Sequence, residues 1–325
     1  MKYARVMAAA MLAGCVATAA ESALLQPSDT AVLKWKDGKK AVFLLAFDDS
    51  CQSHVKSAIP ELRRRGMVGT FYINPGNGPF QNERQAWEQE LPKDPAVVFG
   101  NHTFKHQGAT NAVQLDLELA RCEAVIRACH PERARPFLVS FGQPGGVPWT
   151  VSKDEQSAAL AKYNLIERPP FFGYPIHVKT AEAVCRLVDQ AIAKGDMGHH
   201  DSHGVGGDWL VTPLEVFTAL LDKLDACRGE VWVTDHITYH KYLTERGSAA
   251  VKVVQSDKAQ IRLQLACAAD PALYDTALTL ETRVPADWTS CRVAQGPSRA
   301  EVQAVQGVVR YAAVPGTDEI VLEKR

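Results

Sequence analysis

The sequence has almost no net charge. Its 36 Lys and Arg residues are balanced by 37 Asp and Glu residues, for a formal charge of −1 at pH 7. Proteins that bind nucleic acid or an anionic membrane surface through charge have a basic excess, so neither class is favoured here. Internal repeats and low-complexity segments are also missing. With 46% apolar and 22% charged residues, the composition is typical of a soluble globular protein.

Long apolar runs are missing as well. The stretch 6–14 follows two basic residues and is too short to span a membrane, which is typical of an export signal, here placed at 1–20. Two processing sites are open: 17–19 suits ordinary signal peptidase, and 12–15 resembles a bacterial lipobox that would place a lipid on Cys15. We therefore predict a periplasmic protein, an outer-membrane lipoprotein or a secreted protein, with no transmembrane span after signal removal.

An even number of cysteines for disulfide pairing is missing too. Of the 8 cysteines, 7 remain when Cys15 is set aside, so at least one thiol stays free or pairs between chains. Cys51 follows Asp49 closely and is open as a thiolate ligand. A small buried side chain in a loop is the favoured interpretation, because buried cysteines mostly act as small apolar residues.

Two adjacent carboxylates end the first strongly apolar run. This run, 41–47, is short and uniformly apolar, which predicts a strand buried on both faces, and it stops at Asp48 and Asp49. Carboxylates at the end of a buried strand are costly unless a metal ion or hydrogen bonds hold them.

Two histidines follow a second apolar run. The run 96–99 leads to His102 and His106. One carboxylate and two imidazoles can bind a divalent metal and leave coordination positions for water and substrate. The other carboxylate would then be free to act as a base, which is an arrangement typical of hydrolases.

These two sites resemble motifs of a known family. The sequence Ala-Phe-Asp-Asp-Ser at 46–50 resembles the T-F-D-D-G motif of polysaccharide deacetylases, the NodB-like carbohydrate esterases. The sequence His-Thr-Phe-Lys-His at 102–106 matches their H-[ST]-x-x-H motif. The two motifs occur in the family's order, each after an apolar run, and the resemblance extends over roughly 41–246. It indicates a divergent family member.

The resemblance implies an exported metal-dependent hydrolase that removes N- or O-linked acetyl groups from an acetylated glycan. Asp49, His102 and His106 would bind the metal, with Zn²⁺ the first choice and Co²⁺, Ni²⁺ and Fe²⁺ as alternatives. Asp48 would be the general base, and His203 resembles the family's late histidine that acts as general acid.

The third motif of the family, R-x-P-[YF]-G, is altered. Alignment on Pro144 puts Gly142 where the arginine belongs and Gly145 where the aromatic residue belongs. The N–H of Gly145 is the expected oxyanion donor. Because the family's arginine orients the base, we predict that Arg168 supplies the missing charge. The fourth motif, an aspartate-tryptophan element, has no match near Arg168, although an Asp-Trp pair occurs later, at 208–209.

Seven apolar runs alternate with helical patterns and predict a parallel (β/α) barrel with its site at the carboxyl ends of the strands. The runs are 41–47, 68–73, 96–99, 137–141, 163–167, 197–203 and 231–233. The resemblance implies an incomplete, distorted seven-stranded barrel. From about 250 the pattern alternates with period two. We therefore predict a barrel domain at 21–249 and a small antiparallel β domain at 250–325.

Several single residues have two interpretations. Trp87, Trp288 and Tyr274 could be sugar platforms, although packing is the more common role. His236 and His240 have a spacing that can bind zinc, but a solvated helix face is favoured. Capping boxes at 152–155 and 212–215 predict the starts of two helices.

Two other functions stay open. The same metal and base would serve an amidase or esterase on a small non-glycan substrate. The altered third motif also allows a catalytically silent protein that holds metal and binds carbohydrate.

Overall fold

A computed structural model describes residues 29–133 and 135–325. The predicted export signal at 1–20 and its lipidation site, Cys15, lie outside the described residues. Within the described part, no helix is long and apolar enough to cross a membrane. The seven cysteines of this part are all free thiols.

The chain alternates strands and helices up to residue 247 and continues with strands only. The strands are β1 (Thr30–Val32), β2 (Ala41–Asp48), β3 (Gly69–Ile73), β4 (Val97–Asn101), β5 (Val139–Phe141), β6 (Leu165–Glu167), β7 (Met197–Ser202), β8 (Val231–Thr234), β9 (Ala250–Ser256), β10 (Gln260–Ala266), β11 (Leu278–Arg283), β12 (Ser290–Gln295), β13 (Ser298–Gln303), β14 (Val308–Ala313) and β15 (Ile320–Lys324). The α-helices are α1 (Ile59–Arg65), α2 (Gly78–Asn82), α3 (Ala112–Ala128), α4 (Lys153–Lys162), α5 (Ala181–Lys194), α6 (Leu214–Ala226) and α7 (His236–Gly247).

One parallel sheet of seven strands forms the larger unit. Its order is β6-β5-β4-β3-β2-β7, and β8 pairs with the first half of β2. Between the two ends of this order, Gly173 and Asp201 form an isolated parallel bridge. The distorted seven-stranded (β/α) barrel is therefore confirmed. Because its strands are parallel, their carboxyl ends meet at one edge, where a site is built from several loops.

Strand β2 is the centre of this sheet. All of its residues are buried, as the uniform apolar run predicted, and it pairs with β3, β7 and β8. Its side chains Phe43, Leu45 and Phe47 lie in a core that helices α1, α3, α5 and α6 cover from outside. The buried strand fixes Asp48 and Asp49 at the edge where the other strands end.

The two capping boxes have different outcomes. Ser152 caps α4 reciprocally with Glu155, as predicted. The second helix, α6, also begins where predicted, at Leu214, but the capping box does not form: Pro213 is at the N-cap and there is no side-chain cap. Thr212 is buried, and its hydroxyl donates to Ser202 Oγ at 3.3 Å instead.

The C-terminal strands are antiparallel, as predicted. They form a five-stranded sheet, β13-β12-β15-β10-β9, and a three-stranded sheet, β1-β11-β14. These strands have an apolar core of their own, which includes Leu263, Leu280 and Trp288. Strand β1 pairs with β11, so the first described strand lies in the C-terminal unit, which the sequence did not indicate. The domain boundary near 250 stays a prediction.

Three side chains considered for binding are packed instead. Trp87 is fully buried, and Trp288 is buried with its indole N–H donating to Lys258 O at 2.9 Å. The solvated helix face expected for His236 is wrong, because its ring is buried and hydrogen-bonded with Ser140 Oγ at 2.7 Å. Burial lowers the pKa of His236 to about 3.

Candidate metal centre

Three potential ligand atoms converge at the carboxyl end of the barrel. Asp49 Oδ1 lies 3.4 Å from His102 Nε2 and 3.3 Å from His106 Nε2. These atoms all lie within 4.8 Å of one another. Asp49, His106 and the intervening Thr103 have positive φ angles of 74°, 55° and 66°. Such conformations are costly for residues other than glycine and cluster at functional sites.

The donor atoms fit a metal ion. Asp49 Oδ1 and His102 Nε2 are buried and have no hydrogen-bond partner among the described residues. Buried polar atoms are usually paired, so an unpaired oxygen beside an unpaired nitrogen needs a cation or another ligand. His102 Nδ1 donates to Gly142 O at 2.7 Å, which leaves the lone pair of Nε2 free for a metal.

Asn74 joins the two ligand loops. Its backbone N–H donates to Ser50 Oγ at 2.9 Å, in the aspartate loop. Its side-chain amide donates to the carbonyl oxygens of His102 and Thr103, in the histidine loop. Asn74 is fully buried, and the sequence analysis did not single it out. The one available signal was a polar residue directly after strand β3.

A second network of hydrogen bonds supports the loop that contains His102 and His106. Asn101 Oδ1 accepts from Thr103 N at 2.9 Å, and the Asn101 amide donates to Glu123 Oε1 at 3.2 Å. Glu123 is buried and paired with Arg127 at 2.9 Å. Burial raises the pKa of Glu123 to about 6 despite this arginine. These bonds fix the turn that presents both imidazoles.

Asp48 is paired with Arg168. The two terminal nitrogens of the guanidinium donate to the two carboxylate oxygens, each at 2.7 Å. Burial alone would raise the pKa of Asp48, but the charges of Arg168 and His102 outweigh it and hold that pKa well below its usual range. Asp48 is therefore ionised over the whole neutral range.

Gly142 makes room for this arginine. A Cβ on Gly142 would lie 2.9 Å from Arg168 Nε and 2.9 Å from a ring carbon of Tyr72. The Tyr72 ring stacks on the guanidinium, 4.2 Å from its carbon to the ring centroid. The two departures seen in the sequence, a missing arginine at 142 and an unexpected one at 168, are thus neighbours in space.

Asp201 is a site residue that the sequence analysis missed. It is buried, accepts from Arg168 at 3.2 Å and accepts from Phe172 N at 2.8 Å. Burial raises the pKa of Asp201 although Arg168 opposes the shift. It lies on β7, two residues before His203, and accepts from the same terminal nitrogen of Arg168 that donates to Asp48 Oδ1. A carboxylate inside a strand was the only sequence signal.

His203 lies next to the ligand cluster. Its Nε2 is 3.8 Å from Asp49 Oδ2, and its ring packs between Phe171 and Trp209 at centroid distances of 5.0 and 4.6 Å. Burial lowers the pKa of His203, although the charges of Asp48 and Asp49 oppose the shift. Trp209 is 53% exposed.

The structure thus brings together six of the seven predicted site residues. They are Asp48, Asp49, His102, His106, Arg168 and His203. The seventh, Gly145, lies exposed in the bend after β5, and its oxyanion role stays a prediction. In this parallel barrel an Asp-His-His cluster that could hold a divalent metal ion lies beside an arginine-paired carboxylate.

The comparison with family models found a match to one part of the chain. Residues 35–160 match the model described as polysaccharide deacetylase, which confirms the resemblance that the two motifs predicted. The match includes both motifs and ends before Arg168 and His203. The comparison with curated proteins found no significant match.

Solved structures of low sequence identity are also similar. A family 4 carbohydrate esterase from Streptomyces lividans, in complex with acetate, is 19% identical (60% of this chain, 92% of that one, TM-score 0.41). A peptidoglycan deacetylase from Bacillus subtilis is 13% identical (62% and 90%, TM-score 0.43). A family 4 pseudoenzyme from Bacillus anthracis is 13% identical (60% and 64%, TM-score 0.41), so this chain spans less than two thirds of its length.

Proposed function

We propose that this protein is an exported, metal-dependent deacetylase that removes N- or O-linked acetyl groups from a polysaccharide or an oligosaccharide. The observation that carries the proposal is the convergence of Asp49, His102 and His106 beside a carboxylate, Asp48, that is not needed as a ligand. The family match over 35–160 supports hydrolysis of an acyl group from a glycan.

Asp49, His102 and His106 would hold the metal ion. An oxygen and two imidazole nitrogens suit Zn²⁺ best, and Co²⁺, Ni²⁺ and Fe²⁺ accept the same donors. When bound, such an ion supplies Lewis acidity that polarises an acyl carbonyl and lowers the pKa of water.

Asp48 would accept the proton of the attacking water. The pairing with Arg168 keeps the carboxylate ionised and fixes the plane of its two oxygens. The same positive charge makes the carboxylate a weaker base, so the pairing favours availability and orientation of the base over its strength. Asp201 accepts a further hydrogen bond from Arg168 and thereby helps to keep the guanidinium in place.

His203 would donate a proton to the leaving nitrogen or oxygen as its bond to the acyl carbon breaks. Its Nε2 lies 3.8 Å from Asp49 Oδ2, next to the ligand cluster, whereas Asp48 is held by Arg168. The backbone N–H of Gly145 is the expected donor to the oxyanion.

The surroundings of His203 favour a sugar substrate over a small amide or ester. The exposed indole of Trp209 and the ring of Phe171 flank the histidine. Aromatic faces next to a polar group suit pyranose rings, which have an apolar face and polar edges. A small acyl compound would not need this surface.

A catalytically silent carbohydrate-binding protein is the second candidate. One observation favours it: His203 Nδ1 is buried and has no hydrogen-bond partner among the described residues. A catalytic histidine is commonly oriented through its second nitrogen, so an unsupported ring would be a weak acid catalyst.

Acetate release decides between the candidates. Chitooligosaccharides, acetylated xylan, peptidoglycan and poly-N-acetylglucosamine would be tested with Zn²⁺, with Co²⁺ and with chelator. The variants would be Asp48→Asn and, as a matched control, Asp196→Asn, which changes an exposed aspartate. We expect the wild type to release acetate from at least one glycan. This release should disappear with chelator and in Asp48→Asn, and it should persist in Asp196→Asn. Metal binding without release from any glycan would support the silent protein.

A further inference from the structure

The predicted acid, His203, has no anchor on its own ring. Its Nδ1 has no hydrogen-bond partner among the described residues, and its Nε2 faces Asp49. A histidine in catalysis usually keeps its orientation through a carboxylate or carbonyl on the second nitrogen. The orientation of this ring must therefore come from its main chain and from the packing of Phe171 and Trp209.

The main chain of His203 is held by another histidine. His54 Nε2 donates to His203 O at 2.7 Å. His54 is fully buried, and its ring meets those of Phe47, Phe71 and Trp87 edge-on at 5.5, 5.6 and 6.4 Å. Because a carbonyl oxygen only accepts, the proton of the neutral imidazole must be on Nε2. Burial lowers the pKa of His54 to about 4, so it is neutral at ordinary pH.

Two further hydrogen bonds join the same segments. Val205 N donates to Ser53 Oγ at 3.0 Å, and Ser53 N donates to Asp208 Oδ2 at 2.7 Å. We call these three bonds, made by Ser53, His54 and Asp208, the acid latch. They connect the turn that follows Asp49 to the loop that contains His203.

The loop on the far side of the latch is tightly built. Gly204 N donates to Trp209 O at 3.1 Å, and Thr212 N donates to Gly204 O at 2.7 Å. A Cβ on Gly204 would lie 1.9 Å from Gly207 O, so only glycine fits. Asp208 has a φ of 64°, a strained value that its bond to Ser53 offsets. A displacement of this loop would therefore move His203 and Trp209 together.

We propose that the acid latch positions the general acid: His54, with Ser53 and Asp208, fixes His203 relative to the metal-ligand loop through main-chain atoms, in place of a partner on the His203 ring. His54 is thus a positioning residue and does not touch the substrate. The inference rests on the proposed function for its kinetic consequence, but the contacts that define the latch are independent of it.

The experiment compares His54→Phe, which keeps a ring in the aromatic surroundings but has no donor, with His54→Gln, which keeps an N–H donor. Ser53→Ala removes a different bond of the latch and serves if His54→Phe does not fold. His130→Phe is the matched control. His130 also packs on two aromatic rings, those of Phe99 and Phe137, but it is only partly buried and lies outside the latch.

Two substrates separate the acid from the base. Release of acetate from an N-acetylated chitooligosaccharide needs protonation of the amine, whereas 4-nitrophenyl acetate loses a stable phenolate without it. We expect His54→Phe to lower kcat on the glycan by roughly 10- to 100-fold, a part of the roughly 10²–10⁴-fold that acid catalysis contributes, with KM changed less than about threefold. The rate on the aryl acetate should stay within about twofold, and His54→Gln should recover most of the glycan activity.

Hydrogen exchange of the peptide 203–212 gives a readout that needs no activity. The latch predicts faster exchange of this peptide in His54→Phe and Ser53→Ala than in the wild type and in His130→Phe. If the wild type releases no acetate, the proposed function fails, and exchange alone still tests the latch. Unchanged exchange in both variants, or equal rate losses on both substrates, would overturn the inference.

Discussion

The guanidinium of Arg168 lies in the space that a side chain at Gly142 would need: a Cβ there would be 2.9 Å from Arg168 Nε. The two positions lie at the ends of neighbouring strands, β5 and β6. An arginine at either position can therefore reach Asp48 at the end of β2. The site has room for one guanidinium, and in this chain it comes from residue 168. The altered third motif is therefore compatible with an oriented base.

The first prediction concerns this arginine. Arg168→Met should lower kcat for deacetylation by roughly 100-fold, because Asp48 loses the charge and the two hydrogen bonds that orient it. It should also lower the free energy of unfolding by about 3–5 kcal/mol, because Asp48 and Asp201 are left as buried carboxylates without the positive charge of the arginine. Rates and urea unfolding measure the two effects.

A transfer of the arginine is the control. The double variant Gly142→Arg with Arg168→Gly should recover a large part of the activity lost in Arg168→Met. Full activity in Arg168→Met would remove Arg168 from the proposed mechanism. No recovery in a folded double variant would show that residue 168 has a role that residue 142 cannot fill.

The second prediction concerns the metal centre. The purified protein should bind one divalent ion per chain, and His106→Ala and Asp49→Ala should each lose it. Metal at 100 times its dissociation constant should stabilise the fold by about 2.7 kcal/mol. Elemental analysis and thermal unfolding with and without chelator measure both effects. His240→Ala, a histidine outside the cluster, should behave as the wild type.

The third prediction concerns substrate length. Trp209→Ala should raise KM for a chitooligosaccharide roughly three- to tenfold, as expected for the loss of one aromatic contact, and leave the rate on 4-nitrophenyl acetate unchanged. Trp209→Phe should lie between the wild type and the alanine variant. An unchanged KM for every chain length tested would favour a small non-glycan substrate.

The fourth prediction concerns stability and pH. Glu245, on α7, is buried, and its carboxylate accepts from Thr276 N at 3.2 and 3.0 Å. Burial raises its pKa from 4.5 to about 7. Asp275 also raises this pKa, whereas Lys241 and the bonds from Thr276 oppose the shift. The folded state therefore keeps a proton that the unfolded state releases between these pH values. The contribution of Glu245 to stability is full below about pH 4.5 and is lost as pH rises to about 7.

Glu245→Gln removes this titration. Between pH 4.5 and 7.5 the wild type should lose about 2–3 kcal/mol of unfolding free energy relative to the variant. Urea unfolding across this range measures the difference. Asp196→Asn, at an exposed aspartate that does not contribute to this shift, should follow the wild type closely. Parallel curves for the wild type and Glu245→Gln would contradict the raised pKa.

The sequence by itself determined the barrel and which of its strand ends have Asp48, Asp49 and His102. A fully buried strand has a uniform apolar pattern, so the place where β2 stops could be read directly, and with it Asp48 and Asp49. The same holds for β4, which leads to His102. Parallel strands bring their carboxyl ends to one edge, so residues separated by about fifty positions could be placed together without coordinates.

Only the tertiary structure decided which other side chains serve this edge. Asn74, Asp201 and His54 act through hydrogen bonds to residues far away in the sequence, and no local periodicity indicates such partners. The same limit explains the errors: Thr212 bonds to Ser202 instead of capping a helix, and His236 bonds to Ser140 inside the barrel. Periodicity reports which faces are buried, whereas the direction of each polar side chain is set by contacts that form when the strands assemble.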